Sequence, residues 1–251
     1  MSGHSKWSKI KRKKGANDQK RGKIFSRIVK EITVSVKEGG SVDPDFNPRL
    51  RLAIQNAKGV NMPKDNISRA IKKADEAGGA NFVELNYEGY APGGIAIYVE
   101  CLSDNQNRTV ANVRALFSKN NGSLATSGSV AFMFDRKAMF EFKASPEFDL
   151  DEFTLEVIDA GAEDVDWDQE ENIVSISANI SDFGNMAKKL EDLKIEISSA
   201  KLERIPQNTT KVDDDVAREA LRLIDKIEDD DDVQAVFHNL ELSDALLAEM
   251  E

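Results

Sequence analysis

The sequence has a single cysteine, two histidines and no apolar run long enough to cross a membrane. With Cys101 alone, no disulfide can form within the chain, which is typical of a protein from a reducing compartment. A membrane-spanning helix needs about 20 apolar residues, and the N-terminus also lacks the apolar core of a secretory signal peptide. We therefore expect a cytoplasmic protein.

Residues that usually carry catalysis are equally scarce. His4 and His238 have no cysteine or second histidine at metal-binding spacing, and the Walker A, GxGxxG and HExxH motifs are absent. Cys101 lies in an apolar run and is expected to be a small buried side chain rather than a nucleophile. We predict a protein that is not an enzyme and that binds no cofactor and no metal.

Two acidic runs must be weighed against that prediction. Residues 213–215 and 229–232 are all aspartate, and such carboxylates can hold a divalent cation. The first run precedes a predicted helix, where negative charge complements the helix dipole. The second follows the same helix, where the dipole disfavours it. A solvated surface or a contact with another domain is favoured over a metal for both.

The two parts of the chain carry net charges of opposite sign. Residues 1–80 carry 19 Lys/Arg and 8 Asp/Glu, a net charge of +11, whereas residues 81–251 have a net charge of −22. Eleven of the Lys/Arg lie within residues 1–30, where Asp18 is the one acid. Because like charges repel, this block favours a polyanionic partner, and the acidic remainder would repel the same partner.

We call residues 5–23 the basic arm. A lysine-rich block is either a solvated tail or an interaction segment. Three features favour interaction: charge continues onto a predicted helix, glycines in the arm let it follow a curved backbone, and Trp7 lies inside it. The indole could stack on an unpaired base, or pack on the helices. The predicted nucleic-acid-binding residues of this region are Lys6, Trp7, Lys9, Lys11, Arg12, Lys13, Lys14, Lys20, Arg21, Lys23, Arg27 and Lys30.

Two further positions are candidates outside the arm. Arg108 lies near the start of a predicted helix, where its charge opposes the dipole, so either a local partner or an anionic ligand is expected beside it. Gly93 and Gly94 follow Pro92 between two predicted strands. The turn preferences of glycine and proline explain them as hairpin geometry, and a phosphate-contacting loop is the weaker interpretation.

The hydrophobic pattern predicts an α+β protein with three domains. Residues 1–80 combine the arm with three helices that start at Lys23, Pro48 and Pro63, the second with Asn47 as its N-cap. The middle α/β domain is formed by residues 81–135 plus 207–240, and the last residues, 241–251, are expected to be a loosely attached acidic tail. The middle domain includes predicted strands at 82–90, 95–102, 130–134 and 233–238 and helices at 105–119 and 213–228.

Residues 136–206 show the order β-α-β-β-α-β, which is the ferredoxin-like arrangement, inserted into the middle domain. RNA-recognition motifs share this topology and stack bases on aromatic residues of their central strands. The predicted strand over residues 172–178 has no aromatic residue, and the whole unit is acidic. We interpret it as a scaffold or protein-contacting domain.

Several segments of the sequence closely resemble the YebC family. They are Met1–Trp7, Lys11–Lys14, Asp18–Lys23, Asn61–Ile67, Glu88–Gly94, Asn107–Thr109 and Thr126–Val130. The three-part layout is similar over essentially the whole chain. Ala91 and Ala125 depart from the family, which commonly has glycine there, and this weakens a phosphate-loop role for those turns. Because the resemblance starts at Met1, no presequence is expected before it.

The resemblance implies a non-enzymatic regulator of gene expression. Bacterial members of the family are described as probable DNA-binding transcriptional regulators, and relatives include the mitochondrial translational activator of cytochrome c oxidase. Other bacterial members resemble ribosome-associated factors that relieve stalled synthesis. A basic arm neutralises DNA and rRNA alike, so both partners stay open. A third hypothesis is a protein-interaction scaffold whose arm docks on an acidic surface, including that of its own domains.

Overall fold

The structure is a computed structural model that describes residues 18–76, 81–145 and 147–250, with the backbone alone for residues 18–20 and 250. It contains both helices and antiparallel sheets, as predicted for the α+β class. The helices are α1 (Asp18–Gly39), α2 (Pro48–Gly59), α3 (Lys64–Asp75), α4 (Gln106–Lys119), α5 (Leu150–Ile158), α6 (Phe183–Asp192), α7 (Asp214–Glu228) and α8 (Asp244–Met250). The strands are β1 (Val83–Ala91), β2 (Ile95–Ser103), β3 (Ser123–Leu124), β4 (Phe134–Lys143), β5 (Ala162–Asp168), β6 (Ile173–Asn179), β7 (Ile197–Pro206), β8 (Thr210–Lys211), β9 (Val233–His238) and β10 (Leu240–Glu241).

Helix α1 starts at Asp18, five residues before the predicted start at Lys23. Gly22, one of the glycines of the basic arm, therefore lies inside the helix. An exposed glycine in a helix costs only about 1 kcal/mol relative to alanine, and the apolar face that follows outweighs it. The N-cap prediction for α2 is confirmed, since Asn47 Oδ1 accepts a hydrogen bond from Leu50 N at 3.0 Å.

The described residues fall into two compact units. The first consists of the residues up to Val34, Lys73–Asp135 and those from Ile205 onward, and the second of Ser35–Lys72 and Arg136–Arg204. This division passes through α1 and α3, and it does not test the predicted separation of the chain into three domains, which stays a prediction.

In the first unit, a four-stranded sheet has the order β3-β1-β2-β9. Strands β1 and β2 form an antiparallel hairpin, and β9 pairs antiparallel with β2, so the chain returns to this sheet after the ferredoxin-like segment. Helices α4 and α7 cover one face of the sheet. Their apolar side chains pack with Ile97 and Val99 of β2. These core residues from α4 and α7 are Val113, Phe117, Ala217, Ala220, Leu221, Leu223, Ile224 and Ile227.

In the second unit, the sheet order is β5-β6-β4-β7 and the chain order is β-α-β-β-α-β. This is the ferredoxin-like topology. Phe140 and Phe142 of the central strand β4 are buried in the core. The intervening residues of β4, Met139 and Glu141, are not aromatic, and neither are any of β6. The central strands therefore lack the solvent-facing aromatic residues on which RNA-recognition motifs stack bases.

Helix α2 belongs to the second unit and closes the edge of its sheet. The Asn56 side-chain amide donates to Ala200 O and accepts from Ala200 N, both at 2.9 Å, so it takes the place of a neighbouring strand. A Cβ on Gly59 would lie 1.7 Å from Ser198 O. Only glycine permits this approach, which protects a strand edge from pairing with other chains.

Two predictions for the first unit are wrong. Residues 130–134 form a short apolar run that predicts a strand, but Ala131–Met133 form a 3₁₀ turn and β4 begins only at Phe134. The reason is that the N–H groups of Val130 and Ala131 donate to the Glu88 carboxylate instead of a strand.

The expected loose tail over residues 241–251 is packed where it is described. Strand β10 pairs with β8, Leu246 of α8 is buried in the core, and Glu249 pairs with Arg218 at 2.8 Å. The burial of Leu246 and the ion pair of Glu249 hold this segment in place despite its acidic composition.

Candidate nucleic-acid interface

Most of the basic arm lies outside the described residues. This applies to Lys6, Trp7, Lys9, Lys11, Arg12, Lys13 and Lys14. Lys20 lies in the first turn of α1, and Arg21 is exposed on the same helix. Their predicted role in nucleic-acid binding stays a prediction.

Lys23, Arg27 and Lys30 recur at spacings of four and three on α1, so they share one face of the helix. All three contact the last residue of α7 or the segment that follows it. Lys23 Nζ lies 2.6 Å from Asp229 Oδ1, Arg27 donates to the backbone carbonyl of Glu228, and Lys30 Nζ lies 2.7 Å from Asp231 O. We call Asp229–Asp232 the acidic loop. The cationic face of α1 thus binds the acidic loop within the same unit.

The position of the acidic loop explains part of this attraction. Glu228 ends α7, and the last carbonyl groups of a helix carry the negative end of its dipole. The three α1 cations hold backbone carbonyls as well as carboxylates, so they neutralise both the helix end and the aspartates. The unfavourable placement of four aspartates after a helix is compensated by these contacts.

Asp232 is the centre of the contact. Its side chain is only 5% exposed. Oδ1 accepts from Lys30 Nζ at 2.9 Å, and Oδ2 accepts from Arg108 Nη2 at 2.7 Å and from Thr109 Oγ1 at 2.8 Å. The Ser103 hydroxyl adds a fourth side-chain donor at 3.1 Å. A buried carboxylate with this many donors is well compensated for its loss of solvation.

The electrostatics follow from that geometry. Burial by itself would raise the pKa of Asp232, but hydrogen bonds from Arg108, Lys30 and Thr109 outweigh it and lower the pKa to about 2. For Arg27, burial lowers the pKa, although the nearby Glu228, Asp229 and Asp231 oppose the shift. Asp232 therefore stays ionised at neutral pH and binds α1 as a charged group.

Arg108 has the local partners that its position required. Its guanidinium binds Asp232 and, at 2.9 Å, Asp104, and these hydrogen bonds raise its pKa. Its side chain remains 47% exposed. Of the two sequence-based alternatives, the structure supplies the protein partner, while a role in binding a nucleic acid stays a prediction.

Gly93 and Gly94 form the turn between β1 and β2. Both have positive φ, +77° and +75°, which favours glycine. A Cβ on Gly93 would also lie 2.8 Å from Val216 Cγ1 and 2.9 Å from Val212 Cγ1. Backbone geometry and close packing therefore account for the pair, and the phosphate-contacting role stays a prediction.

Cys101 is buried, as its apolar surroundings predicted. Burial, with Asp230 and Asp232 nearby, raises the pKa of its thiol to about 12. Within residues 18–76, 81–145 and 147–250, no three His, Cys, Asp or Glu side chains are grouped to hold a metal ion. The same part of the chain contains no helix long and apolar enough to span a membrane.

The partners of these cations could not be predicted from the sequence. The Asp229–Asp232 run is visible there, and a contact with another domain was one interpretation of it, but nothing in the sequence pairs Lys30 with a residue 202 positions away. Ser103 belongs to none of the segments singled out in the sequence, and Thr109 is singled out only within the Asn107–Thr109 segment.

The fold and the charge distribution define an α+β protein with a cationic N-terminal region. Two family models match the sequence: residues 5–77 match the TACO1/YebC protein N-terminal domain, and residues 82–240 match the TACO1/YebC second and third domain. The chain belongs to the TACO1/YebC family.

Similar proteins cover nearly the whole chain. A "probable transcriptional regulatory protein" of Amoebophilus asiaticus is 51% identical over 96% of this chain and 98% of its own length. One of the same description from Brachyspira hyodysenteriae is 48% identical over 99% of this chain and 100% of its own. The crystal structure of a conserved hypothetical protein from Aquifex aeolicus superposes with a TM-score of 0.80 at 40% identity, covering 90% of this chain and 93% of that one.

Proposed function

We propose that the protein is a cytoplasmic, non-enzymatic regulator of gene expression that binds nucleic acid through its basic arm. The observation that carries the proposal is the concentration of eleven Lys/Arg within residues 1–30, at the start of a chain whose other part is strongly acidic. The relatives named as transcriptional regulatory proteins support a regulatory role. DNA is the first candidate for the nucleic acid, and rRNA of the ribosome is the second.

The described contacts suggest a division of labour among the cations. Lys23, Arg27, Lys30 and Arg108 already bind carboxylates or carbonyls of the protein. We therefore assign the first phosphate contacts to the arm that precedes them, residues 6–21. The α1 cations instead hold the helix from which the arm extends.

Phosphate contacts of this kind position a protein on nucleic acid without reading its sequence. They release condensed counterions, so the logarithm of the affinity falls with the logarithm of the salt concentration by about 0.9 per phosphate on duplex DNA and about 0.7 on single strands. The acidic domains would repel the same backbone, and in this proposal they face solvent or protein partners.

The test measures affinity against salt concentration for duplex DNA, single-stranded DNA and RNA. Changing Lys11, Arg12, Lys13 and Lys14 together to glutamate should weaken binding strongly and reduce the salt slope by about 3. The control reverses four exposed lysines elsewhere, Lys119, Lys143, Lys188 and Lys194, which alters the net charge equally. Salt-independent binding, or full affinity after the four arm substitutions, would show that the proposal is wrong.

A second measurement separates the candidate partners. Co-sedimentation with ribosomes is compared with retention on duplex DNA at equal salt. Ribosome binding that the arm substitutions abolish would favour a translation factor, whereas retention on duplex DNA alone would favour a transcriptional regulator. If the arm peptide binds tightly to the acidic part of the protein and the full chain binds neither nucleic acid, the scaffold hypothesis is correct.

A further inference from the structure

The segment that joins α4 to β4 has no charged residues, although the part of the chain in which it lies is acidic. Residues 120–134 contain no Asp, Glu, Lys or Arg, although residues 81–251 carry 37 acidic residues. This stretch is long enough to present a surface that does not repel a phosphate backbone. It includes the Thr126–Val130 motif, which the proposed role of the basic arm does not use.

A buried carboxylate holds this loop in one shape. Glu88, which is 4% exposed, accepts hydrogen bonds from the backbone N–H groups of Gly128, Val130 and Ala131 at 2.7, 2.6 and 2.9 Å. The Glu88 carbonyl also accepts from Ala125 N at 2.7 Å. Charge-assisted hydrogen bonds are stronger than neutral ones, so the loop is preorganised.

The braced loop projects an aromatic ring into solvent. Phe132 is 71% exposed, while Val130 and Phe134, two residues to either side, are buried in a small cluster with Tyr98. These buried anchors hold the backbone on both sides of the ring. Because the loop is already ordered, it loses less conformational entropy when a partner binds.

The surroundings of the ring identify the kind of partner. The other exposed residues of the loop are Asn121, Ser123, Thr126, Ser127 and Gly128, which offer amide, hydroxyl and backbone groups, whereas the apolar neighbours Ala131 and Met133 are half-buried. Aromatic anchors of protein interfaces are fully desolvated in well-packed pockets, within an interface core that is depleted of polar side chains. An unpaired base instead needs one aromatic face for stacking and polar groups for its edge or phosphate.

We propose that Phe132 stacks on an unpaired base of the nucleic acid that the basic arm binds. This inference rests on the proposed function and refines it, because it requires a ligand with single-stranded or flipped-out bases. Thr126 and Ser127 supply hydrogen bonds beside the stacked base, and Glu88 is the positioning residue that holds the loop.

The test is titration of the full-length protein with a single-stranded oligonucleotide containing 2-aminopurine, whose fluorescence is quenched on stacking. Phe132→Ala should weaken single-strand binding by about 5- to 150-fold and remove the quenching. Affinity for fully paired duplex and the salt slope should stay unchanged, since no phosphate contact is lost. Phe132→Tyr should restore both affinity and quenching.

Phe46→Ala is the matched control. Phe46 is 79% exposed, but it follows two aspartates, Asp43 and Asp45, that repel phosphate. The inference is overturned if Phe132→Ala binds single strands as the wild type does, or if Phe46→Ala causes an equal loss. If the wild type binds none of the nucleic acids, the proposed function fails and the stacking role fails with it. Wild-type binding that Phe132→Ala leaves intact refutes the stacking role alone.

Discussion

Replacing Asp232 with alanine should destabilise the protein by about 3–5 kcal/mol, because it leaves a buried charge without its partner. The Lys30 side chain is 15% exposed and that of Asp232 5% exposed, so solvent cannot replace the lost carboxylate. Thr109 and Ser103 lose their acceptor in the same variant. Unfolding in urea, followed by circular dichroism at neutral pH, measures the loss.

Asp229→Ala is the matched control for this prediction. Asp229 belongs to the same acidic loop and pairs with Lys23 at 2.6 Å, but its side chain is 69% exposed. Exposed ion pairs contribute about 0–1 kcal/mol. If the two variants lose equal stability, Asp232 is not the centre of the contact and the reasoning from burial is refuted. Hydrogen exchange of α1 amides locates the effect, since they should lose protection in Asp232→Ala only.

The same residue predicts how stability depends on pH. The pKa of Asp232 is about 2 in the folded protein, below the ordinary 3.8. A carboxylate with a lowered pKa contributes its full stabilisation above the ordinary value and loses it as the pH falls through the folded value. About 2 kcal/mol should therefore disappear between pH 4 and pH 2. Subtracting the profile of Asp232→Asn isolates this contribution, and an unchanged profile in that variant would contradict it.

Three further predictions concern the first unit. Glu88→Ala leaves three loop N–H groups without their acceptor, so it should lower the free energy of unfolding in urea by about 2–3 kcal/mol. Glu88→Gln should lower it less, and an equal loss in the two variants would contradict this prediction. Because the thiolate is the reactive form and the pKa of Cys101 is about 12, the folded protein should react with iodoacetamide about a thousandfold more slowly than the urea-unfolded chain. Equal rates would show that the thiol is not buried. Tyr87→Phe removes a buried hydroxyl that has no hydrogen-bond partner among the described residues. The melting temperature of the variant should therefore equal or exceed that of the wild type. A clear decrease would show that the hydroxyl has a hydrogen-bond partner.

The α1 contact changes what the charge pattern of the N-terminal region means. Counted along the sequence, Lys23, Arg27 and Lys30 continue the basic arm. In the structure the acidic loop already neutralises them, so the arm extends from a helix whose cations have protein partners. Substitutions at these three positions will therefore mix effects on stability with effects on nucleic-acid binding, and arm positions give the cleaner test.

The sequence by itself determined the local structure well where the cause is local. Asn47 caps α2 because its side chain reaches the N–H group three residues on. Gly93 and Gly94 mark a turn because their positive φ suits glycine. The apolar run that follows this turn predicts β2. Helical spacing likewise identified α4 and α7. Composition also established the charge asymmetry, and seven motifs were sufficient to indicate the family.

Only the tertiary structure decided where charged and apolar side chains of distant segments meet. Residues 130–134 resemble a strand in the sequence because all five are apolar, but Glu88, more than forty positions earlier, accepts hydrogen bonds from Val130 N and Ala131 N. Acidic composition made the C-terminal residues resemble a loose tail, although Leu246 is buried. Lys30 and Asp232 are separated by 202 residues, and only chain folding brings them within 2.9 Å. Spacing along a sequence reports contacts within one element, whereas burial and ion pairing depend on which elements pack together.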